Sequence, residues 1–288
     1  MLAIPAVRQA GLMLLQGFVS GSQLQSNQRG LVQSMSEENN QTQVARIRQS
    51  LLAQIEGGLL PPGGKLPSER SLSELFDTTR ITLKDALLAL EAEGCIYRED
   101  RRGWFVAPPR LEYNPQYRVH FQQMVQQQQR RVDTRVLSAR SMVATPEMCQ
   151  RLQLSALARV LQICRQRSLD GRVVMYVEHY LKPECFPGIM NEDLSQSLTE
   201  LYQTRYGLHY RRSRFDITPT AARGEVAQAL MLADGSPILR ITRINYDQQQ
   251  RIIDCDVEYW RHDAIRLSVD SQLPTEPGDL GITAMPMG

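Results

Sequence analysis

Arg165 and Arg167 stand two residues apart in VLQICRQR (Val160 to Arg167), an apolar, β-branched stretch that reads as a strand. Alternate residues of a strand point to one side, so both guanidinium groups face the same way. Two such forks on one face suit bidentate capture of a tetrahedral dianion. The competing reading is a basic strand face in solvent. Glu178 in VVMYVEHY and Glu258 in DCDVEYW could offer a carboxylate to an ammonium group, while Tyr176, Tyr259 and Arg240 could serve as walls or donors. Each of these last five, taken singly, fits a structural role as well.

A second constellation lies upstream. Leu83, Ala86, Leu87 and Leu90 fall at i, i+3, i+4 and i+7 and predict the buried face of a helix. Thr79, Arg80, Thr82 and Lys84 are expected on the opposite side of its first turns. Hydroxyls and guanidinium groups bond base edges, and cations meet phosphates, so such a helix end suits a major groove. Thr79 is also placed to cap the helix, and Gly94 to end it. Cys95 to Tyr97 and Trp104 to Val106 then read as two strands. The turn between them carries Arg98, Arg101, Arg102 and Gly103, a basic hairpin suited to DNA backbone or minor groove. By pattern alone, an ordinary amphipathic helix and hairpin explain these residues equally well.

The elements that would position these groups follow from punctuation and period. Val44, Ile47, Leu51, Leu52 and Ile55 share one face of a helix over Gln43 to Glu56, stopped by Gly57-Gly58 and Pro61-Pro62. Ser68 would cap a short helix, Glu69 to Phe76, whose Leu72, Leu75 and Phe76 pack on the helix after it. Pro108 to Pro115 is Pro-rich and reads as a stiff linker. A Gln-rich stretch over 122–129 reads as a helix with Phe121, Met124 and Val125 on one side, or as a loop. Beyond it, strands are expected near 135–140, 160–167, 173–180, 213–218, 237–245 and 252–259, with helices near 146–151, 197–206 and 221–230. Asp170-Gly171 and Asp247 to Gln250 read as hairpin turns. The fold class is α+β: two domains in 288 residues, the second antiparallel.

Composition sets the bounds. The chain is 42% hydrophobic and 22% charged, ordinary for a globular protein, and its net charge of +2 announces no nucleic acid by itself. Basic and acidic residues balance between Val44 and Val106, so a DNA argument rests on where charges sit. The cysteines (Cys95, Cys149, Cys164, Cys185, Cys255) are odd in number, scattered and unclustered with histidine; neither a disulfide framework nor a zinc site is expected, and a reducing cytoplasm is. Residues 11–19 faintly resemble a signal-peptide core but are too short to cross a bilayer as a helix. Residues 1–40 are read as an extension arising from a translation start placed too early, with Met35 the natural first residue, or as a disordered tail.

LPSER, TTRITLKDAL, LEAEG and the wing strand GWFV, in that order and spacing, resemble the winged helix-turn-helix of the GntR family of bacterial transcription regulators. The resemblance implies DNA contacts by Arg70, Thr79, Arg80, Thr82, Lys84 and Gly103, with Arg101 and Arg102 as further wing candidates. Ile81 departs from the family, which often has Thr or a small polar residue there. RQRSLDG, VVMYVEHYL, SLTELYQTRYGL, ARGEVAQALMLADGSPILRITRINYD and IIDCDVEYWRHDAIRLSVD resemble the UTRA effector-binding domain of the HutC branch, whose fold is chorismate lyase-like. The wing DRRGWFV and the ending EYWRHD look most similar to regulators of 2-aminoethylphosphonate operons. The implied layout is a DNA-binding domain over 41–108, a linker over 109–116, a UTRA domain over 117–271 and a disordered tail over 272–288.

The resemblance implies a homodimeric repressor, without cofactor, metal or membrane, that binds an inverted-repeat operator and answers to a small anion held by Arg165, Arg167, Glu178, Tyr176, Arg240 and Glu258. Related regulators use the Arg-x-Arg strand for phosphate; a phosphonate, a sugar phosphate or an imidazole acid all fit. The rival class, a chorismate-lyase-like enzyme, finds no nucleophile elbow or metal motif. Lys182 is the only lysine after the linker and sits before Pro183, a poor context for a cofactor lysine.

Overall fold

The computed structural model describes residues 42–99, 101–116 and 121–270; the extension expected over 1–40 and the tail expected over 272–288 lie outside them. The chain divides into two compact units, one built from residues up to Gln54 and Glu69–Ala89, the other from Ile55–Ser68 and everything from Leu90 onward.

The first unit holds most of α1 (residues 42–56), α2 (Glu69–Leu75) and most of α3 (Arg80–Ala92). Ile47, Leu51, Leu72, Leu83, Ala86 and Leu87 are buried, as their spacing predicts. Thr79 caps α3: its Oγ1 accepts from the backbone N–H of Thr82 at 3.2 Å. Leu75 departs from expectation, being 70% exposed. In a helix of seven residues ended by Asp77 at positive φ, Leu72 turns inward and Phe76 is half-buried, which leaves Leu75 facing out.

In the second unit, β1 (Ile96–Glu99) and β2 (Gly103–Val106) form the expected hairpin, in register from Ile96 opposite Val106 to Glu99 opposite Gly103. Arg101 and Gly103 both take positive φ in its turn. Tyr97 is buried beneath two guanidinium groups, Arg172 at 3.6 Å and Arg261 at 5.2 Å from its ring centre, and Asp263 pairs with both arginines. The segment read as a linker contains a strand. β3 (Leu111–Tyr113) pairs in parallel with β10 (Ile265–Leu267), and Leu111 is fully buried.

The body is one antiparallel sheet in the order β4-β5-β6-β9-β8-β7. Its strands are β4 (Val132–Val143), β5 (Arg159–Leu169), β6 (Arg172–Leu181), β7 (Arg212–Ala221), β8 (Pro237–Tyr246) and β9 (Ile252–Arg261). Asp170 and Gly171, both at positive φ, make the tight β5–β6 turn that the Asp-Gly pair predicts. Apolar residues fill both faces. α4 (Phe121–Gln127) and α6 (Leu198–Tyr206) contribute to the clusters on one face, α5 (Pro146–Leu152) and α7 (Gly224–Ala229) to those on the other.

The two leucines of α2 separate core from surface. Leu72→Ala should lower the unfolding free energy by about 2–5 kcal/mol, and Leu75→Ala by under about 0.5 kcal/mol, in urea titrations. Equal losses would mean that Leu75 packs as its spacing alone suggests.

Candidate functional site

Register decides what the sheet brings together. Thr134, Arg167, Met175 and Trp260 lie side by side across β4, β5, β6 and β9. The next row on the same face is Val136, Arg165, Val177 and Glu258, and the third holds Ile163, His179, Asp256 and Arg243. These rows floor a cavity of about 270 Å³, closed by Tyr113, residues of α4 and the segment Ser195–Thr199 at the start of α6.

Arg165 is almost fully buried and committed to its neighbours. Its Nε and Nη2 reach His179 Nε2 at 3.1 and 2.9 Å, and its Nη1 donates to the carbonyls of Leu194 at 3.3 Å and Gln196 at 2.9 Å. It therefore holds the loop that leads into α6. Burial pulls its pKa down to about 10, which leaves it charged at neutral pH. With Nε2 accepting, the His179 ring carries its proton on Nδ1 and donates to Asp256 Oδ1 at 2.5 Å. Burial, then the charge of Arg165, lowers the His179 pKa to about 4, so the ring is neutral. Asp256 Oδ2 accepts from Arg243 Nη2 at 2.6 Å and from Asn245 Nδ2 at 3.1 Å. Burial opposes its ionisation, but His179 and Arg243 hold it far below the usual carboxylate range.

Arg167 differs. Its guanidinium lies 4.2 Å from the centre of the Phe121 ring, and its buried Nε has no hydrogen-bond partner among the described residues. Burial and the adjacent charge of Arg165 push its pKa well down, and the carboxylates of Glu258 and Asp256 only partly oppose them. Glu258, on the same face, accepts from Trp260 Nε1 at 2.9 Å and lies 3.6 Å from Arg243 Nη2. α6 begins at the cavity, capped by Ser197 Oγ, so its first turn presents backbone N–H groups there. Three guanidinium groups, the carboxylates of Asp256 and Glu258, and a helix N-terminus thus meet at one cavity, a setting whose chemistry suits a small anion.

Tyr176, Glu178 and Arg240, expected in the same site, are on the opposite face. Tyr176, Tyr259 and Arg240 form one row there, and Glu178 occupies the next with Cys164 and Val257. Glu178 accepts from the hydroxyls of Tyr176 and Tyr180, each at 3.1 Å; burial raises its pKa. Arg240 donates to Glu147 Oε1 at 2.7 Å. The physical reason is period two: Glu178 adjoins His179, so only one of the pair can face the cavity. Arg243, His179 and Asp256 went unrecognised in the sequence, where only their alternation with known neighbours marks them.

On α3, Arg80 and Lys84 are exposed as expected. Thr82 is not: it is 6% exposed, and its hydroxyl lies 2.9 Å from that of Thr79 within the cap. Arg70 pairs with Glu74 at 3.0 Å on α2, and Arg102 with Glu99 in the hairpin. Among the described residues no group of three or more His, Cys, Asp and Glu is disposed to hold a metal ion.

Residues 43–106 match the model of the bacterial regulatory proteins of the gntR family, and residues 127–266 that of the UTRA domain. The uncharacterized HTH-type transcriptional regulator YihL of Escherichia coli K12 is 32% identical over 232 residues, 80% of this chain and 98% of the relative. The HTH-type transcriptional repressor NagR of Bacillus subtilis is 31% identical over 204 residues, 70% of this chain and 84% of the relative. The crystal structure of PhnF from Mycobacterium smegmatis shares the fold, with a TM-score of 0.56 at 22% identity over 79% of this chain and all of the other.

The depressed His179 pKa has a defined pH consequence. The unfolded chain takes up this proton near pH 6.5 and the folded protein only near pH 4, so the stabilisation is complete above about 6.5 and is lost as pH falls toward 4. The melting temperature of the parent should fall more steeply across that window than that of His179→Gln, whose side chain has no proton to gain. Parallel pH profiles would remove His179 from the account.

Proposed function

We propose, for a chain that belongs to the GntR family of bacterial regulatory proteins and carries a UTRA domain, that its cavity binds a small organophosphonate such as 2-aminoethylphosphonate and that occupancy sets its affinity for an operator. As a transcription regulator of this family the protein binds DNA. The finer reading is a cytoplasmic homodimer acting as a repressor on an inverted repeat, since a two-fold protein matches a two-fold site. The word repressor in the name of NagR supports that sign of control.

One observation carries the ligand class: Arg167 is a half-buried cation whose buried Nε has no hydrogen-bond partner among the described residues, lining a cavity at which α6 also begins. A phosphonate would accept from both. Glu258, in the same cavity, would take the ammonium end of a zwitterion. The second reading is a sugar phosphate, favoured by the hydroxyl and amide side chains of Ser195, Ser197, Thr199, Gln122, Gln203 and Ser213 around the cavity. In both readings Arg165 is a positioning residue and Arg167 the binding one.

A thermal-shift series with 2-aminoethylphosphonate, hexose phosphates and imidazole acids tests this, because a ligand that binds only the native state raises its melting temperature. A phosphonate or sugar phosphate should stabilise the parent and leave Arg167→Ala unmoved, with operator affinity of the unliganded variant retained. Arg165→Ala should instead lose about 3–5 kcal/mol of stability without ligand, since removing one member of a buried polar network strands the others. A ligand response that survives in Arg167→Ala would place the anion elsewhere. In the other unit, Arg80→Ala should weaken specific operator binding by about 1–3 kcal/mol, read by gel shift; unchanged affinity would remove the start of α3 from the DNA interface.

A further inference from the structure

We propose that Ile81 reads the C5-methyl group of a thymine in the operator's major groove, which makes an apolar contact a sequence-selecting feature of the first turn of α3. The inference rests on the DNA-binding role given above and names how one base is chosen.

Ile81 is 74% exposed. Neither folding nor helix formation accounts for a large apolar residue there. It fills no core, and a β-branched side chain is a poorer helix former than the Ala, Leu or Lys found elsewhere in α3. The exposed side of the helix runs Arg80, Ile81, Lys84, Asp85 and Leu88, so an apolar side chain lies between two cations along the chain. Lys84 in such a position meets phosphate, which carries no sequence information, and Arg80 can meet phosphate or a guanine edge; neither role uses the apolar side chain between them. The hydroxyls of Thr79 and Thr82 are 2.9 Å apart, and Thr79 Oγ1 also takes the Thr82 N–H, so both belong to the cap.

Of the groups that base pairs show in the major groove, the thymine methyl is the apolar one; the others are hydrogen-bond donors and acceptors. An isoleucine placed over a donor or acceptor would strip it of water and return nothing. Over a methyl it removes apolar surface from water on both partners. Its stiff χ1 loses little rotamer freedom on binding, so the preference is sharp for a single contact. Leu75 and Leu88 are also exposed, at 70% and 44%, which raises a protein surface as the other possible occupant. Charged residues are depleted at the centre of protein interfaces, whereas Ile81 has Arg80 beside it and Lys84 one turn on.

The test uses the full chain and an operator recovered by repeated selection from random duplexes. Each thymine of one half-site is replaced in turn by deoxyuridine, which deletes the methyl group and keeps the pairing. One position should lose about fourfold in affinity, the worth of one methyl group taken from water. Ile81→Ala should bind the thymine operator at least about fourfold more weakly and be indifferent to deoxyuridine at that position; Ile81→Val should keep the sensitivity. Melting temperatures of both variants should match the parent, since the side chain is not in the core. A deoxyuridine penalty that persists in Ile81→Ala overturns the proposal, as does a loss equally large on random duplex. So does a parent that binds its operator without sensitivity to any methyl. If no sequence is enriched by the parent at all, it is the DNA-binding reading that fails.

Discussion

Three guanidinium groups, the buried Arg165 and the half-buried Arg167 and Arg243, line one cavity on the sheet, and neutralising them is the constraint on which the UTRA unit depends. A charge taken out of water costs several kcal/mol unless it is paired and hydrogen-bonded. Arg243 is met by Asp256 and Glu258, and Arg165 by the imidazole of His179 and two loop carbonyls. Asp256 serves both, since one oxygen takes the His179 Nδ1–H and the other takes Arg243. This works only while His179, Asp256 and Arg243 lie in one row, so a slip of one residue in β6 or β9 would turn the carboxylate to the other face and leave two cations unmatched. Paired charge thereby enforces register, and register in turn leaves Arg167 as the cavity arginine whose Nε has no hydrogen-bond partner among the described residues.

Much of this fold was legible in the residues. The strands, the hairpin turn at Asp170-Gly171 and the Thr79 cap follow from period and punctuation, whereas the compact units divide the chain elsewhere than the expected 41–108 and 117–271, with residues 55–68 and the wing in the second unit. Pairing across strands does not follow either, because a single sequence carries the alternation within each strand but no phase between strands. Arg165 and Arg167 share a face by spacing alone, and so were recognised together. Whether Glu178 or its neighbour His179 joins them depends on which β6 residue stands opposite Arg165, and that residue is Val177. The same missing phase placed Tyr176 and Arg240 with the arginines in anticipation and opposite to them in the structure.

A different ambiguity operates on α3. Threonines at the start of a helix serve equally as caps and as base readers, because one hydroxyl does both jobs at the same place in a sequence. Geometry separates them. Thr82 lies on the buried side, beside Leu83 and one turn before Ala86, and its hydroxyl is in the cap, so the exposed side near the N-terminus is left to Arg80, Ile81 and Lys84. The hydroxyls of Thr79 and Thr82 are here engaged in helix initiation.

The Pro-rich segment after the wing brings these threads to regulation. A stiff tether would pass on only the movement of whatever it is tied to. Here the segment is itself part of the cavity: Tyr113 and Pro115 line it, and Leu111, two residues earlier, is fixed in the core by burial and by pairing with β10. Upstream of that anchor, Arg110 donates to the carbonyl of Glu93 at 3.1 Å, just beyond the end of α3. A ligand shifts an equilibrium only by the difference in its affinity for two arrangements, however tightly it binds. Such a difference arises most directly where cavity wall and connecting chain are the same residues, and Tyr113 is both. Coupling of the usual 1–3 kcal/mol corresponds to about five- to 150-fold in affinity, and a wall shared by cavity and chain is a direct place for it to arise.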